Sequence, residues 1–356
     1  MILKPKKLMR VTHSYLRSKF IPTPVFLRII PSDRCNLQCK YCFQYDNSSH
    51  IMTKEEFDKY FKKAVGLGVS IVSFLGGEPM LWPHIYYAIQ KCTDNGIMTE
   101  MTTNATLLSD KNLEKLGLAG LDMLNLSVDS LTKTEQSDKS LLNKNDLANR
   151  LGYFRKKFKT HVRLNAVITK QNISNIEQLI DFAHELTYPL SLGFVVPPIF
   201  KREKYGGEHL LFDKNDFSIL KKAVKMILDK KRKGYNIIDS NSYFEGIFDF
   251  INGTNDWDCK YIKRYGGYTK RYGGIIIAPD GRLRSCTKLM GYMDYNFLDL
   301  NPNLVKQVRG KIDIIINGCN PKCYSNCAYA TYYYNLHKFE FLFRQFLPSI
   351  KQLFEK

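Results

Sequence analysis

The sequence predicts an α/β fold: a partial, TIM-like (β/α)6 barrel followed by a small Cys-rich module. Three observations carry that prediction. Between Pro24 and Gly234, six short β-type runs alternate with helical stretches. After Gly234 the alternation stops, and glycine, tyrosine and cysteine become frequent. The unusual motifs of the first part each follow a β-type run directly, which is where parallel-sheet folds bind ligands.

The elements follow in order. Residues 1–23 form a basic lead-in: Met1–Phe20 carries Lys4, Lys6, Lys7, Arg10, Arg17 and Lys19 and no acid, with Leu8, Met9, Tyr15, Leu16 and Phe20 at apolar helical spacing. The core spans 24–234. Strands are expected at Val25–Ile30, Ser70–Leu75, Thr99–Thr103, Met123–Val128, Val162–Thr169 and Ser191–Val196, each short, rich in β-branched or aromatic residues and bounded by turn signals. Helices are expected at Lys54–Gly66, His84–Asn95, Asp110–Leu116, Leu141–Phe158, Ile173–Leu186 and Asp213–Lys233. Thr53-x-x-Glu56 reads as a capping box, and Asn172 and Asp213 as N-caps. Six such repeats imply a parallel sheet with right-handed crossovers.

The second module spans 235–356. Gly274–Ala278, a Pro-Asp-Gly turn and Arg282–Ser285 read as a β-hairpin. Lys-Arg-Tyr-Gly-Gly at 263–267 and again at 270–274 reads as a loop, since one repetition makes no solenoid. Phe339, Leu342, Phe343, Phe346, Ile350 and Leu353 follow the spacing of an amphipathic C-terminal helix, which Pro348 should kink or break.

Bulk composition excludes several classes. With 356 residues, 44% of them hydrophobic, the chain buries a core without needing disulfides. No apolar run approaches the roughly 18 residues of a membrane span, and no apolar core of signal-peptide type follows the basic start. A cytoplasmic protein is the expectation, with peripheral membrane contact as the alternative. Nine cysteines, five of them after residue 258, read as metal ligands rather than a disulfide framework. A net charge of +19 suits an anionic partner (nucleic acid, an acidic peptide or a membrane surface) or simply a solvated Lys-rich surface.

Cys35-x3-Cys39-x2-Cys42 follows the first strand. Three thiolates on one short loop bind three corners of an iron–sulfur cube and leave one iron open, whereas structural zinc wants a fourth Cys or His. Cys-x3-Cys-x-aromatic-Cys at this place in a β/α repeat resembles the radical S-adenosylmethionine (SAM) superfamily. The resemblance covers about residues 24–234. It implies a [4Fe–4S] cluster on Cys35, Cys39 and Cys42 whose open iron binds the amino and carboxylate groups of SAM. One electron then yields a 5′-deoxyadenosyl radical that abstracts hydrogen, and a donor such as ferredoxin or flavodoxin supplies the electron.

The same resemblance implies further SAM contacts. Tyr41 matches the aromatic position beside the adenine. Gly76-Gly77-Glu78-Pro79, after the second strand, resembles the motif that binds the amino group. Thr103-Asn104 follows the third strand where the family often has Thr-Asn-Gly, with Ala105 in place of the glycine. Ser127 and Asp129 end the fourth strand like residues touching the carboxylate or ribose, and Asn165 and Val167 lie on the fifth like contacts near carboxylate and adenine. A polar strand end is the alternative reading of each of these later residues.

Cys259, Cys286, Cys319, Cys323 and Cys327, with Gly281-x4-Cys286, resemble the C-terminal auxiliary-cluster modules of SPASM and twitch radical SAM enzymes. A full SPASM module uses seven cysteines, and five suffice for one auxiliary [4Fe–4S] cluster with one left over. Zinc is the alternative occupant. Cys92 reads as a core thiol.

These features predict a radical SAM oxidoreductase or C–H-modifying enzyme, with peptide or protein modification as the first substrate class. A separate peptide-recognition protein is a candidate partner, because the lead-in before Cys35 leaves no room for such a domain. Radical modification of a lipid or isoprenoid at an anionic membrane is the alternative. Cys323-x3-Cys327-Ala-Tyr329 resembles radical SAM proteins of hopanoid synthesis over a short stretch. A non-catalytic Fe–S or zinc protein binding nucleic acid is the rival of a different class.

Overall fold

The structure is a computed structural model that describes residues 5–18, 20–21, 23–42, 44–131, 139, 144–196, 207–254, 274–284, 292–305, 307–308 and 324. Helix α1 (Pro5–Ser18) leads into six parallel strands: β1 (Phe26–Ile29), β2 (Ile71–Phe74), β3 (Met98–Thr103), β4 (Met123–Ser127), β5 (His161–Ile168) and β6 (Leu190–Phe194). They pair in chain order. Helices α2 (Lys54–Leu67), α3 (Ile85–Asp94), α4 (Asp110–Leu118), α5 (Lys144–Phe158) and α6 (Ile176–Glu185) return the chain between them. This is the expected α/β fold, consistent with a partial barrel. Strand ends gather on one rim; strand starts and helix ends gather on the other.

Local signals account for most boundaries. Thr53 Oγ1 accepts from the Glu56 N–H, and the Glu56 carboxylate accepts from the Thr53 N–H, so α2 starts on a complete capping box. Gly68, at φ 85°, ends it. Asp213 caps a 3₁₀ turn, Lys214–Asp216, that feeds α7 (Phe217–Arg232). Asn172 does not act as the expected N-cap. Its side-chain Oδ1 accepts from the Thr169 N–H and its side-chain amide donates to the Asp129 and Val167 carbonyls. Fully buried between two strand ends, it satisfies backbone there rather than a helix start.

Packing sits mostly between sheet and helices. Phe57, Phe74, Trp82, Leu124, Phe154 and Ile180 are buried there, each contributing roughly 1.5–3 kcal/mol through apolar burial. Trp82 satisfies its indole N–H on the Met52 carbonyl at 2.7 Å. The other face of the sheet is different. Along β5, residues alternate between half-buried and buried: His161, Arg163, Asn165 and Val167 on one side, Val162, Leu164, Ala166 and Ile168 on the helix side. A parallel strand covered equally on both faces would be apolar throughout, so this alternation marks a polar concave face.

Past α7 come two short helices, α8 (Asn241–Glu245) and α9 (Ile247–Asn252), then β7 (Gly274–Ile277), β8 (Arg282–Arg284) and β9 (Tyr292–Asn296). The expected hairpin forms, with Gly281 at φ 81° in its turn. β7 also pairs in parallel with β1, so the core sheet continues into the chain beyond Gly234.

Candidate active site

The loop after β1 carries Cys35, Cys39 and Cys42, and backbone contacts hold it from both sides. The Met52 N–H donates to the Pro31 carbonyl and the Asp46 N–H to the Asp33 carbonyl, both at 2.8 Å. The Cys35 N–H donates to Asn47 Oδ1 at 2.9 Å. From the other side, the Gly77 N–H reaches the Ser32 carbonyl at 3.1 Å and the Glu78 N–H the Arg34 carbonyl at 2.8 Å.

Those last contacts explain the glycine pair. Gly76 has φ 136°, and a Cβ there would meet the Ser32 carbonyl oxygen at 2.4 Å; a Cβ on Gly77 would meet that of Arg34 at 2.0 Å. Both positions need glycine because the cysteine loop's backbone packs directly against them. Beneath the loop, Arg284 of β8 clamps Asp33 with two hydrogen bonds, 2.6 and 3.2 Å, both side chains almost fully buried.

The three cysteines are free thiols: Cys39 is buried, Cys35 and Cys42 half-buried. Burial pushes the Cys35 thiol up, the Leu37 N–H opposes this, and Glu78, Cys42 and Cys39 add to the rise. A cationic iron centre bound there would oppose that rise at Cys35. Among the described residues no three His, Cys, Asp or Glu side chains gather around one metal-ion position. Three cysteines on one loop match the three corners of a cube that a protein ligates when one iron stays open. The donor set fits a three-thiolate cluster.

Glu78, 2% exposed, is held by three donors: the Met80 N–H, Thr103 Oγ1 and the Asn104 N–H at 3.0, 2.7 and 2.7 Å. Burial raises its carboxyl pKa and those hydrogen bonds oppose the rise. It therefore welds β2 to β3 at the rim. The Asn104 amide donates to Asn36 Oδ1 at 2.9 Å and lies 3.8 Å from Cys35 Sγ, so this residue reaches the cluster loop. Ala105 sits at φ 67°, a left-handed conformation natural to glycine.

Tyr41 is buried and its hydroxyl donates to Asp129 Oδ2. Asp129 Oδ1 accepts from the Val167 N–H at 2.9 Å. Lys139 Nζ donates to the Tyr41 hydroxyl at 3.0 Å. Burial and the Asp129 carboxylate push the Tyr41 phenol well above its usual range. Burial opposes the Lys139 ammonium, but Tyr41 and Asp129 hold its pKa up. This cluster ties the cysteine loop to the ends of β4 and β5. Ser127 and Asn165 pair in register on those strands, half-buried, with no side-chain hydrogen bond among the described residues.

Sequence reasoning missed Asp33, Asn36, Asn47, Lys139, Asn172 and Arg284. Polar residues flanking a cysteine loop were a signal for the first three; Lys139 and Arg284 join it only through the fold. Cys92 is buried in α3 with its thiol pushed up by burial, as a core thiol should be. Cys259, Cys286, Cys319, Cys323, Cys327 and the amphipathic C-terminal stretch lie outside the described residues.

Residues 29–183 match the family model of the radical SAM superfamily. A GTP 3',8-cyclase of Clostridium perfringens is 29% identical over 275 residues, 73% of this chain and 80% of that protein. Streptococcus suis SuiB bound to its precursor peptide SuiA has a TM-score of 0.62 at 21% identity, covering 88% of this chain and 73% of SuiB. Native anSMEcpe with bound AdoMet has a TM-score of 0.61 at 18% identity, covering 93% of this chain and all of that one.

Proposed function

We propose that this chain is a radical SAM enzyme, the family whose model residues 29–183 match, and that it cleaves SAM reductively and abstracts hydrogen from a peptide or protein. The observation that carries the reading is that one doubly anchored loop at the strand-end rim carries three cysteines, none of them in a disulfide.

Cys35, Cys39 and Cys42 would hold the cluster. When bound, a [4Fe–4S] cluster supplies the electron that splits the sulfonium of SAM to a 5′-deoxyadenosyl radical. The chain's part is position and shelter. Glu78 and the Gly76–Gly77 backbone set the height of the loop. Asn104 orients its amide beside Cys35. Ser127 and Asn165 present a hydroxyl and an amide on the concave face, suited to a SAM carboxylate or ribose. Tyr41 offers a ring face fixed by Asp129 and Lys139, suited to an adenine.

A peptide substrate is supported by the C-terminal cysteine pattern and by a peptide-bound neighbour of the same fold. GTP is the second reading, favoured by sequence likeness to the cyclases over most of the chain. Anaerobically reconstituted protein with dithionite and SAM should release 5′-deoxyadenosine, and Cys35→Ala/Cys39→Ala/Cys42→Ala protein should not. Absence of release from a fully iron-loaded enzyme refutes the reading. Release stimulated by GTP, with a cyclised nucleotide as product, would move the substrate to the second reading.

A further inference from the structure

Helix α1 is turned inside out. Lys7, Arg10, Ser14 and Arg17 fall on one helical face. That polar stripe points into the protein. Lys7, 2% exposed, pairs with Asp122 at 2.5 Å. Arg10 donates to the carbonyls of Val69 and Asn95 at 3.0 and 3.2 Å, and Ser14 to that of Gly68 at 2.7 Å. Gly68, Val69, Asn95 and Asp122 end helices or precede strands, so α1 lies across the rim opposite the cysteine loop.

The outer side carries Leu8, Met9 and Leu16, exposed by 53, 66 and 49%, and Phe20, exposed by 87%, follows just past the helix end. Leu118, 67% exposed in the last turn of α4, lies two residues from the Gly120 carbonyl that Lys7 approaches. A water-facing helix does the reverse, hiding its apolar stripe. Scattered exposed leucines need no explanation, but an apolar run on the outside of a well-anchored helix marks a contact surface.

We propose that this face is an in-plane anchor resting on an anionic lipid bilayer. Charge selects the occupant. The first acid in the chain is Asp33. The same rim receives the basic last turns of α5 (Arg155, Lys156, Lys157) and α7 (Lys230, Lys231, Arg232). Some of these have acidic partners, as Lys157 has Glu114, while Lys156, Lys159 and Lys233 are exposed. A second copy would bring two acid-free helices together on chains of +19 each. The chain's own residues 338–356 carry four basic against two acidic residues, again the wrong sign. Among the described residues no helix is long and apolar enough to cross a membrane, so contact is along the surface. The cysteine rim then opens away from lipid, and anchoring sets where the enzyme sits without making its substrate a lipid.

Flotation of the full chain with vesicles of phosphatidylcholine alone, or with phosphatidylglycerol added, tests this. The anionic vesicles should be bound. Leu8→Ser/Leu16→Ser should weaken binding at least about tenfold, with 5′-deoxyadenosine release in solution unchanged. Met9→Ser/Phe20→Ser should do the same, which guards against misfolding of one variant. The proposal is overturned if the wild type ignores anionic vesicles or if both variants float like it. It is equally overturned if the wild type is a dimer that the variants dissociate, or if vesicles are bound only after residues 338–356 are removed.

Discussion

Arg284→Met should damage the cluster loop from more than a strand away. Arg284 and Asp33 are 0% and 3% exposed at the side chain, and two hydrogen bonds join them. Removing the guanidinium leaves the Asp33 carboxylate buried without its counter-charge. Breaking such a pair costs about 3–5 kcal/mol, against a total folding stability of roughly 5–15 kcal/mol. For a domain of this size that corresponds to a fall in Tm on the order of 10 °C. Urea denaturation of the cluster-free protein would measure it, with iron content after reconstitution as the local readout. Asp33→Asn/Arg284→Met removes both charges and should recover at least about 2 kcal/mol of the single-variant loss. A single variant costing under about 1 kcal/mol, or a double variant whose loss equals the sum of its parts, would refute the reasoning that the buried charges depend on one another.

Three further outcomes follow from the site and the sheet. Gly77→Ala should reduce bound iron, because its Cβ would sit 2.0 Å from the Arg34 carbonyl oxygen; overpacking of this kind costs roughly 1–3 kcal/mol or more, and iron analysis checks it. Ala105→Gly should stabilise the protein by about 1 kcal/mol in urea, since residue 105 sits at φ 67°. His161 has its pKa lowered by burial to about 4, with Arg155 and Arg163 adding to the fall. It favours the neutral form in the native state, so its contribution is full above pH ~6.5 and is lost as pH falls towards 4, roughly 2–3 kcal/mol by pH ~4.5. His161→Gln should flatten that part of the urea-stability profile.

How far the chain could be read in advance depended on how local each signal was. Strand and helix positions were legible because period-two and period-3.6 patterns, and caps such as Thr53 with Glu56, act within a few residues. The cysteine loop was legible for the same reason. Asn172 was misread because an Asn ahead of a helix has the composition of a cap whether or not its side chain is drawn elsewhere; here the Asp129 and Val167 carbonyls draw it. The pairing of β7 with β1 and the clamp of Arg284 on Asp33 join residues far apart in sequence, and no spacing rule announces them. The inverted face of α1 was half visible: its apolar and basic residues could be counted, but which side faces the barrel depends on the carbonyls it meets.

The reach of that clamp bears on the order in which the enzyme is made. Asp33 and Arg284 are 251 positions apart, and β7 covers the flank of β1 from nearly as far. While the chain is being synthesised, the strand that feeds the cysteine loop has one neighbour and an open edge until residues 274–284 arrive. Iron delivered before then meets thiols on an unfinished support. Maturation should therefore be a late event, following the emergence of residues 274–284 rather than of the cysteine loop alone.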